Sequence, residues 1–333
     1  MNRSIDVLVS GYYGFGNLGD ELLAESAVRL LESAGIERTK IAILSAVPRK
    51  TQEDLRVHAF NRWDIREVYR AMKMAKTLLI GGGGLFQDST SVRSCLYYWG
   101  IVRIARLCGT CPWAAGQSIG PFRTAFASCL AKNAFSSCVY RGVRNKSSLG
   151  ILNNWGLIGN ISPDLVMSLK VRRNFQHGNR MLLNLRGGYE KMSRIAVKGA
   201  VQFSEKTGLS IIGVAFSEED VREIEKYHDS GALELEKIVL VKTLSEFEDT
   251  LNGASCAIGM RLHFLILALL AGLPLCGIPY DPKVRAFCEE WDIPSVCNDS
   301  FILSVPADED MLNEAGEKVF DSFRQGLSTA LGG

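Results

Sequence analysis

Short apolar runs alternate with longer amphipathic stretches along the whole chain. In the first half the runs fall at residues 6–9, 40–45, 77–80, 112–115, 139–143 and 161–164, and they read as strands. Between them lie segments with apolar residues at helical spacing, at 20–34, 65–75, 94–107, 125–135 and 146–155. That succession predicts βαβ units around a parallel sheet covered on both faces. The polar stretch "SLKVRRNFQHGNR" (168–180) then interrupts the pattern, and a domain linker is placed there. The same alternation restarts beyond it, with strands expected at 181–185, 210–215, 238–241, 256–259 and 274–278. Helices are expected at 196–207, 218–227, 244–252, 262–271 and within 309–331. The expected fold is α/β: two Rossmann-like parallel-sheet domains over 1–170 and 178–333, with a cleft between them. The last helix would be able to pack back on the first domain.

Candidate chemistry gathers where predicted strands end, the usual ligand edge of such sheets. The opening stretch "SGYYGFGNLGDELLAESAVRLL" joins a strand to a helix through Gly11, Gly14, Gly16 and Gly19, and carries Asn17, Asp20 and Glu21. Asn17 or Asp20 would serve as a helix cap, but one cap does not require four glycines. A strand, a glycine-rich turn and a helix N-terminus together form a natural anion seat. The order "GFGNLGDE" is not the dinucleotide fingerprint. A second loop, "LLIGGGGLFQD", holds four consecutive glycines including Gly83 and Gly84. Their entropic cost predicts close approach of substrate or of the other domain. A third, "AAGQSIGP", adds Gln117 and Ser118.

The segment 255–284 is the most informative. Its strand ends at Gly259, and Arg261 and His263 follow in the first turn of a strongly apolar helix. A cation there opposes the helix dipole, so Arg261 predicts an anion sharing its site. Lys283 follows the turn "YDP" after what should be the neighbouring strand. Arg141 and Arg144 stand at a strand end of the first domain. Arg144, Arg261 and Lys283 would together hold a small, multiply charged anion, with His263 placed for proton transfer.

Composition narrows the class. The 333 residues are 47% hydrophobic and 22% charged with a formal charge of +2, and no polybasic run suggests nucleic acid. Nine cysteines sit mostly in apolar segments. The pair Cys108/Cys111 has no second pair or nearby histidine to complete a zinc site, so reduced thiols and no metal are expected. No signal segment or membrane-length apolar run occurs, which predicts a cytoplasmic chain. Nothing in the sequence sets an oligomeric state.

In order and spacing, "GYYGFGNLGDE", "GGGGLFQD", "GQSIGP", "VRNKSS", "SPD" at 162–164 and "GMRLHFLILALLAGLP…YDPKV" resemble the polysaccharide pyruvyltransferase family, and in particular its CsaB-type bacterial members. The two-domain plan likewise resembles the GT-B architecture of glycosyltransferases. The resemblance implies transfer of pyruvate from phosphoenolpyruvate to a sugar as a cyclic ketal. The implied acceptor is an N-acetylmannosamine of a lipid-linked cell-wall glycan precursor, whose product anchors surface-layer proteins. Such an acceptor would bring the chain to the inner face of the membrane. Donor-binding positions fall on Arg144, Arg261, His263 and Lys283, and the opening-motif carboxylate on Asp20. Where the family reads "VRD", this chain has Arg144 followed by Asn145, which removes an acid from that position.

On this reading His263 is the acid that protonates the methylene carbon, and Asp20 is the base for the attacking hydroxyl. Asn17, Gly19, Gly83, Gly84 and Gln117 form acceptor-side loops. No cofactor is expected beyond phosphoenolpyruvate as donor. The rival enzyme is a GT-B glycosyltransferase that uses a nucleotide sugar. The rival of another class is a non-catalytic sugar-binding protein, and retention of Arg144, Arg261, His263 and Lys283 together speaks against it.

Overall fold

A computed structural model of the protein describes residues 3–88, 91–296 and 301–332. The chain divides into two compact units. One comprises Met1–Phe15, Asp20–Leu169 and Glu314–Gly333, and the other Gly16–Gly19 and Lys170–Asn313.

The first unit holds strands β1 (Ile5–Ser10), β2 (Ile41–Ser45), β3 (His58–Asn61), β4 (Ala75–Ile80), β5 (Gly83–Phe86), β6 (Cys111–Ile119), β7 (Arg141–Val143) and β8 (Asn160–Ile161). They form one eight-stranded sheet in the order β3-β2-β1-β4-β6-β7-β8, with β5 also paired to β6, and every pairing is parallel. Helices α1 (Leu18–Ser33), α2 (Pro48–Leu55), α3 (Ile65–Met74), α4 (Val92–Leu107), α5 (Ala125–Ser137) and α6 (Lys146–Asn154) connect them. All five residues of β2 are buried, as are five of six in β1 and in β4. Strands buried at consecutive positions in this way are covered on both faces. Each fully buried Leu, Ile or Val there contributes about 1.5–3 kcal/mol. The helices start where capping side chains satisfy their first N–H groups. Asp64, Ser91, Thr124 and Asn145 each accept a backbone N–H at the head of α3, α4, α5 and α6.

The second unit repeats the plan with β9 (Arg180–Asn184), α7 (Glu190–Thr207), β10 (Ser210–Ala215), α8 (Glu218–Asp229), β11 (Lys237–Leu240), α9 (Leu244–Thr250), β12 (Ala254–Gly259), α10 (Leu262–Leu270), β13 (Leu275–Gly277) and α11 (Pro282–Glu290). Its five parallel strands lie in the order β11-β10-β9-β12-β13. Eight of the nine α10 residues are buried, as expected of a helix that is apolar on every side. In both sheets the strand order reverses beside the first strand, between β1 and β4 and between β9 and β12. Open α/β sheets bind ligands outside the strand ends at such switch points.

The final helix, α12 (Glu309–Gly332), groups with the first unit from Glu314 onward. There Phe323 meets Trp113 edge-on at 5.1 Å, and the Tyr140 and Ser322 hydroxyls lie 2.8 Å apart.

Four elements were not anticipated from periodicity. β3 is a half-exposed edge strand, and α2 buries only Thr51. β5 is a strand of four residues that begins with two glycines. α11 starts at Pro282 behind the cap Asp281, so "YDP" is a helix start and Lys283 lies in a first helical turn. The strand expected at 161–164 is also shorter: β8 ends at Ile161, and Asp164 caps a 3₁₀ turn instead.

Candidate active site

In the second unit the central feature is a buried ion pair. Arg261, the N-cap residue of α10, sends Nε to Asp220 Oδ1 and Oδ2 at 3.1 and 2.8 Å, and Nη2 to Oδ1 at 2.6 Å. Nη2 also donates to Ser217 Oγ at 2.9 Å, while Nη1 takes no part in this fork. Asp220 is fully buried and Arg261 nearly so. The anion that Arg261 requires at a helix N-terminus is therefore supplied by the chain itself. Asp220 sits in the first turn of α8, where the helix dipole favours a carboxylate, and it also accepts the Phe216 N–H at 3.0 Å. Asn184, the last residue of β9, completes the frame. Its Oδ1 accepts the Arg261 N–H at 2.9 Å and its Nδ2 donates to Val214 O at 2.8 Å. The guanidinium is thus held in one orientation at the switch point.

Two further cations share that sheet edge. Arg186, just past β9, donates Nη1 to the Tyr280 hydroxyl and lies 5.5 and 5.0 Å from the ring centroids of Tyr189 and Tyr280. Its Nε is buried without a hydrogen-bond partner. Burial pulls its pKa down, but Tyr280, Tyr189 and the charge of Asp220 more than offset that, and the net shift is upward. The Tyr280 phenol is pushed up to about 12, chiefly by burial, so it stays protonated. Lys283 stands three residues beyond it, with Nζ 3.9 Å from Asp281 Oδ2. The strands that lead to Arg261 and Lys283, β12 and β13, are paired neighbours, as the sequence implied.

His263, at the second position of α10, faces Gly19 of the opening motif. A Cβ on Gly19 would overlap Nδ1 of His263 and lie 2.9 Å from its Cγ. The adjacent Leu18 N–H donates to Phe216 O at 3.0 Å. Gly16–Gly19, with Asn17, accordingly belongs to the second unit, and Gly19 makes room for an imidazole of the chain.

In the first unit Arg144 repeats the arrangement of Arg261. It lies just past β7, with Nη1 2.6 Å from Asp164 Oδ2, Nε bonded to Ser118 Oγ, and all three side chains buried. Asn145, standing where an acid was expected, caps α6 through Ser148 N at 2.8 Å. Gln117 lies fully buried within β6 and donates Nε2 to Gly81 O. That bond braces two strand ends. The glycine run is likewise explained mostly from within. The Tyr13 hydroxyl fills the position of a Gly81 side chain, and Leu23 Cδ2 would meet one on Gly82 at 2.7 Å. Gly83 takes φ +103°, and only at Gly84 is the space open. Asp20 lies at the head of α1, and its charge bears on Tyr12 and Tyr13.

Asp88, in the same glycine-rich motif, is buried and accepts Arg123 N at 2.5 Å, Thr124 N at 2.9 Å and Thr124 Oγ1 at 2.7 Å. Burial alone would raise its pKa, but these donors outweigh burial and hold it below the usual carboxylate range. Because the folded value is the lower one, its stabilisation is complete above the unfolded pKa of about 3.9. It is lost as pH falls through the folded value. Asp88→Asn should therefore be less stable than the parent by a constant margin near neutrality, one that shrinks below about pH 4. Urea unfolding across pH 3–7 checks this, and a pH-independent margin would remove the carboxylate from the account.

Eight cysteines are unpaired, and Cys108 and Cys111 do not bridge. Burial pushes both of their thiols up. Cys297 lies outside the described residues. Among the described residues no three His, Cys, Asp or Glu side chains gather as a metal site, and no helix is long and apolar enough to cross a membrane. A hollow of about 750 Å³ lined by Arg38, Arg49, Arg56 and His58 opens at the N-terminal ends of β2 and β3, the opposite edge from every candidate above.

Two doubly wound parallel sheets make this a GT-B-like α/β protein, and each sheet carries an Arg–Asp–Ser set past a strand end. The same fold occurs in UDP-GlcNAc 2-epimerase from Methanocaldococcus jannaschii (TM-score 0.59, 11% identity, 95% of this chain and 92% of that one). It occurs also in UDP-GlcNAc 2-epimerase from Neisseria meningitidis (0.57, 9%, 96% and 91%) and in a glycosyltransferase from Rickettsia africae (0.55, 10%, 97% and 93%). No curated protein matches the sequence significantly. The family description "Polysaccharide pyruvyl transferase" matches residues 17–282, and the chain belongs to that family of transferases.

Of the predicted residues, Arg261, His263, Lys283, Asn17 and Gly19 lie in the second unit, and Arg144, Asp20, Gly83, Gly84 and Gln117 in the first. Sequence reasoning missed Asp220, Ser217, Asn184, Arg186 and Asp164 as partners. "SEED" (217–220) did carry a capping-box signal for Asp220. Arg186 follows a predicted strand in "LNLRGG" and was findable by the strand-end argument used for Arg144.

Proposed function

We propose that the protein transfers pyruvate from phosphoenolpyruvate to a glycan as a cyclic ketal and releases phosphate. The observation that supports this most is the row of Arg186, Arg261 and Lys283 at the C-terminal edge of one sheet, past β9, β12 and β13. Phosphoenolpyruvate carries a carboxylate and a phosphate, and several cations are needed to offset both. Arg261 is held in place by Asp220 and Ser217 before any ligand arrives, so little reorganisation accompanies binding. Arg144 is assigned to the donor as well.

His263 protonates the methylene carbon, which leaves a cation-like C2. A sugar hydroxyl attacks C2 and passes its proton to Asp20. The C2–O bond to phosphate then breaks, and a second hydroxyl closes the ketal and releases the remaining proton. None of these steps calls on a metal or a redox cofactor. The acceptor we favour is an N-acetylmannosamine of a lipid-linked cell-wall glycan precursor, met at the inner membrane face.

A thermal-shift measurement tests the donor. Phosphoenolpyruvate at about 100 times its Kd should stabilise the protein by about 2.7 kcal/mol, several degrees in Tm. Arg261→Ala should abolish the shift. Stabilisation by UDP-GlcNAc but not by phosphoenolpyruvate would replace this reading with nucleotide-sugar transfer.

A further inference from the structure

Past β1 and β3, at the C-terminal edge of the first sheet, five aromatic rings enclose one guanidinium. Arg62 is only 4% exposed, and its guanidinium carbon lies 4.4 Å from the Tyr97 centroid, 5.1 Å from those of Phe15 and Trp63, 5.6 Å from Tyr98 and 5.9 Å from Tyr12. Its hydrogen bonds go to Gly11 O at 2.6 Å and the Tyr98 hydroxyl at 3.3 Å, while Nε is buried without one. Among the described residues no carboxylate forms an ion pair with it. The ring faces therefore supply much of what offsets its burial. Tyr12 and Phe15 stack with centroids 3.9 Å apart and planes 11° apart. Phe15 meets Trp63 at 6.2 Å, and Trp63 meets Tyr97 at 5.7 Å.

The outer rings are nevertheless open to solvent: Trp63 is 63% exposed, Tyr12 44% and Phe15 38%. A contiguous exposed patch of this kind marks a binding surface. The cation beneath fixes the rings, so a ligand loses little side-chain entropy on stacking there. A pyranose ring suits such a wall, because its C–H face packs on aromatic carbon while its hydroxyls remain at the rim. Asp20 supplies a polar rim: its negative charge, after burial, is what pushes the Tyr12 phenol up. A carboxylate beside the rings would repel an anionic membrane surface but would accept hydrogen bonds from sugar hydroxyls.

We propose that Tyr12, Phe15, Trp63 and Tyr97 form a stacking platform for a pyranose ring of the acceptor glycan. The proposal rests on the family-level reading that the acceptor is a polysaccharide. It adds a recognition surface that the glycine-rich loops do not provide.

Calorimetric titration of the purified protein with N-acetylmannosamine-terminated and galactose-terminated disaccharides tests it. Trp63→Ala and Phe15→Ala should weaken saccharide binding by roughly tenfold, and Trp63→Phe should recover most of the loss. Each truncation removes one ring from Arg62, so Tm should fall by no more than a few degrees, while the shift caused by phosphoenolpyruvate should stay at its parental value. Parental saccharide affinity in both Ala variants would overturn the platform, as would absence of saccharide binding by the parent. So would a loss confined to co-sedimentation with anionic phospholipid vesicles. If the Ala variants lose saccharide binding while phosphoenolpyruvate stabilises no form of the protein, the platform stands and the donor assignment fails.

Discussion

Asp220→Ala is expected to cost about 3–5 kcal/mol, because it leaves the Arg261 guanidinium buried without its carboxylate. Arg261→Ala should cost a similar amount for the converse reason, a carboxylate stranded at zero exposure. The two losses should not add. A double variant, Arg261→Met with Asp220→Leu, removes both charges and keeps the volume apolar, which is often neutral or even stabilising. Urea unfolding of the four forms ranks their stabilities directly. Pyruvyl transfer should fail in Arg261→Ala and in the double variant, which lack the cation, and in Asp220→Ala, where the guanidinium loses the partner that orients it. Recovery of transfer in the double variant would take Arg261 out of substrate binding and leave the pair a structural one. Parental stability in Asp220→Ala would show that water reaches the pair.

Gly19→Ala should separate activity from stability in the opposite sense. The added methyl meets the His263 imidazole, which must turn or shift to admit it. With His263 as the proposed acid, a displacement of about 1 Å would cost about 100-fold in rate. In stability the clash is partly offset, because alanine is favoured over glycine inside a helix by about 1 kcal/mol. The expected result is a kcat/KM reduced about 100-fold at nearly unchanged Tm. Gly16→Ala is a useful contrast, because a Cβ there meets nothing within 4 Å and only the φ of +72° penalises it. That variant should lose some stability without displacing His263. Equal loss of activity in both would mean that the motif acts through loop geometry rather than through contact with His263.

Much of the molecule was legible before folding. The runs at 6–9, 77–80 and 256–259 place apolar residues at consecutive positions, which one-sided strands do not, and the paired, doubly covered β1, β4 and β12 follow from that. Arg261 stood out because a cation at a helix start contradicts local preference, and Lys283 because it follows what should be the neighbouring strand. The identity of the family was legible too, carried by the order of its glycine-rich motifs and found again over residues 17–282. β3 and α2 escaped because their amphipathicity is weak and their burial slight. At the glycines the limit is of a different kind. A sequence tells that a side chain must be absent but not what occupies the space, and at Gly19, Gly81 and Gly82 the occupants are His263, Tyr13 and Leu23.

By itself the sequence determined the class of fold, most of its strand ends and the cations that stand there, because these depend on periodicity and on local charge. Only the tertiary structure decided which groups pair. Asp220 is 41 residues from Arg261, and Asp164 is 20 from Arg144. Arg62 found its five rings after β1, after β3 and on α4. Such partnerships follow from strand order, which places the ends of distant segments side by side, and no local pattern of hydrophobic and polar residues encodes them.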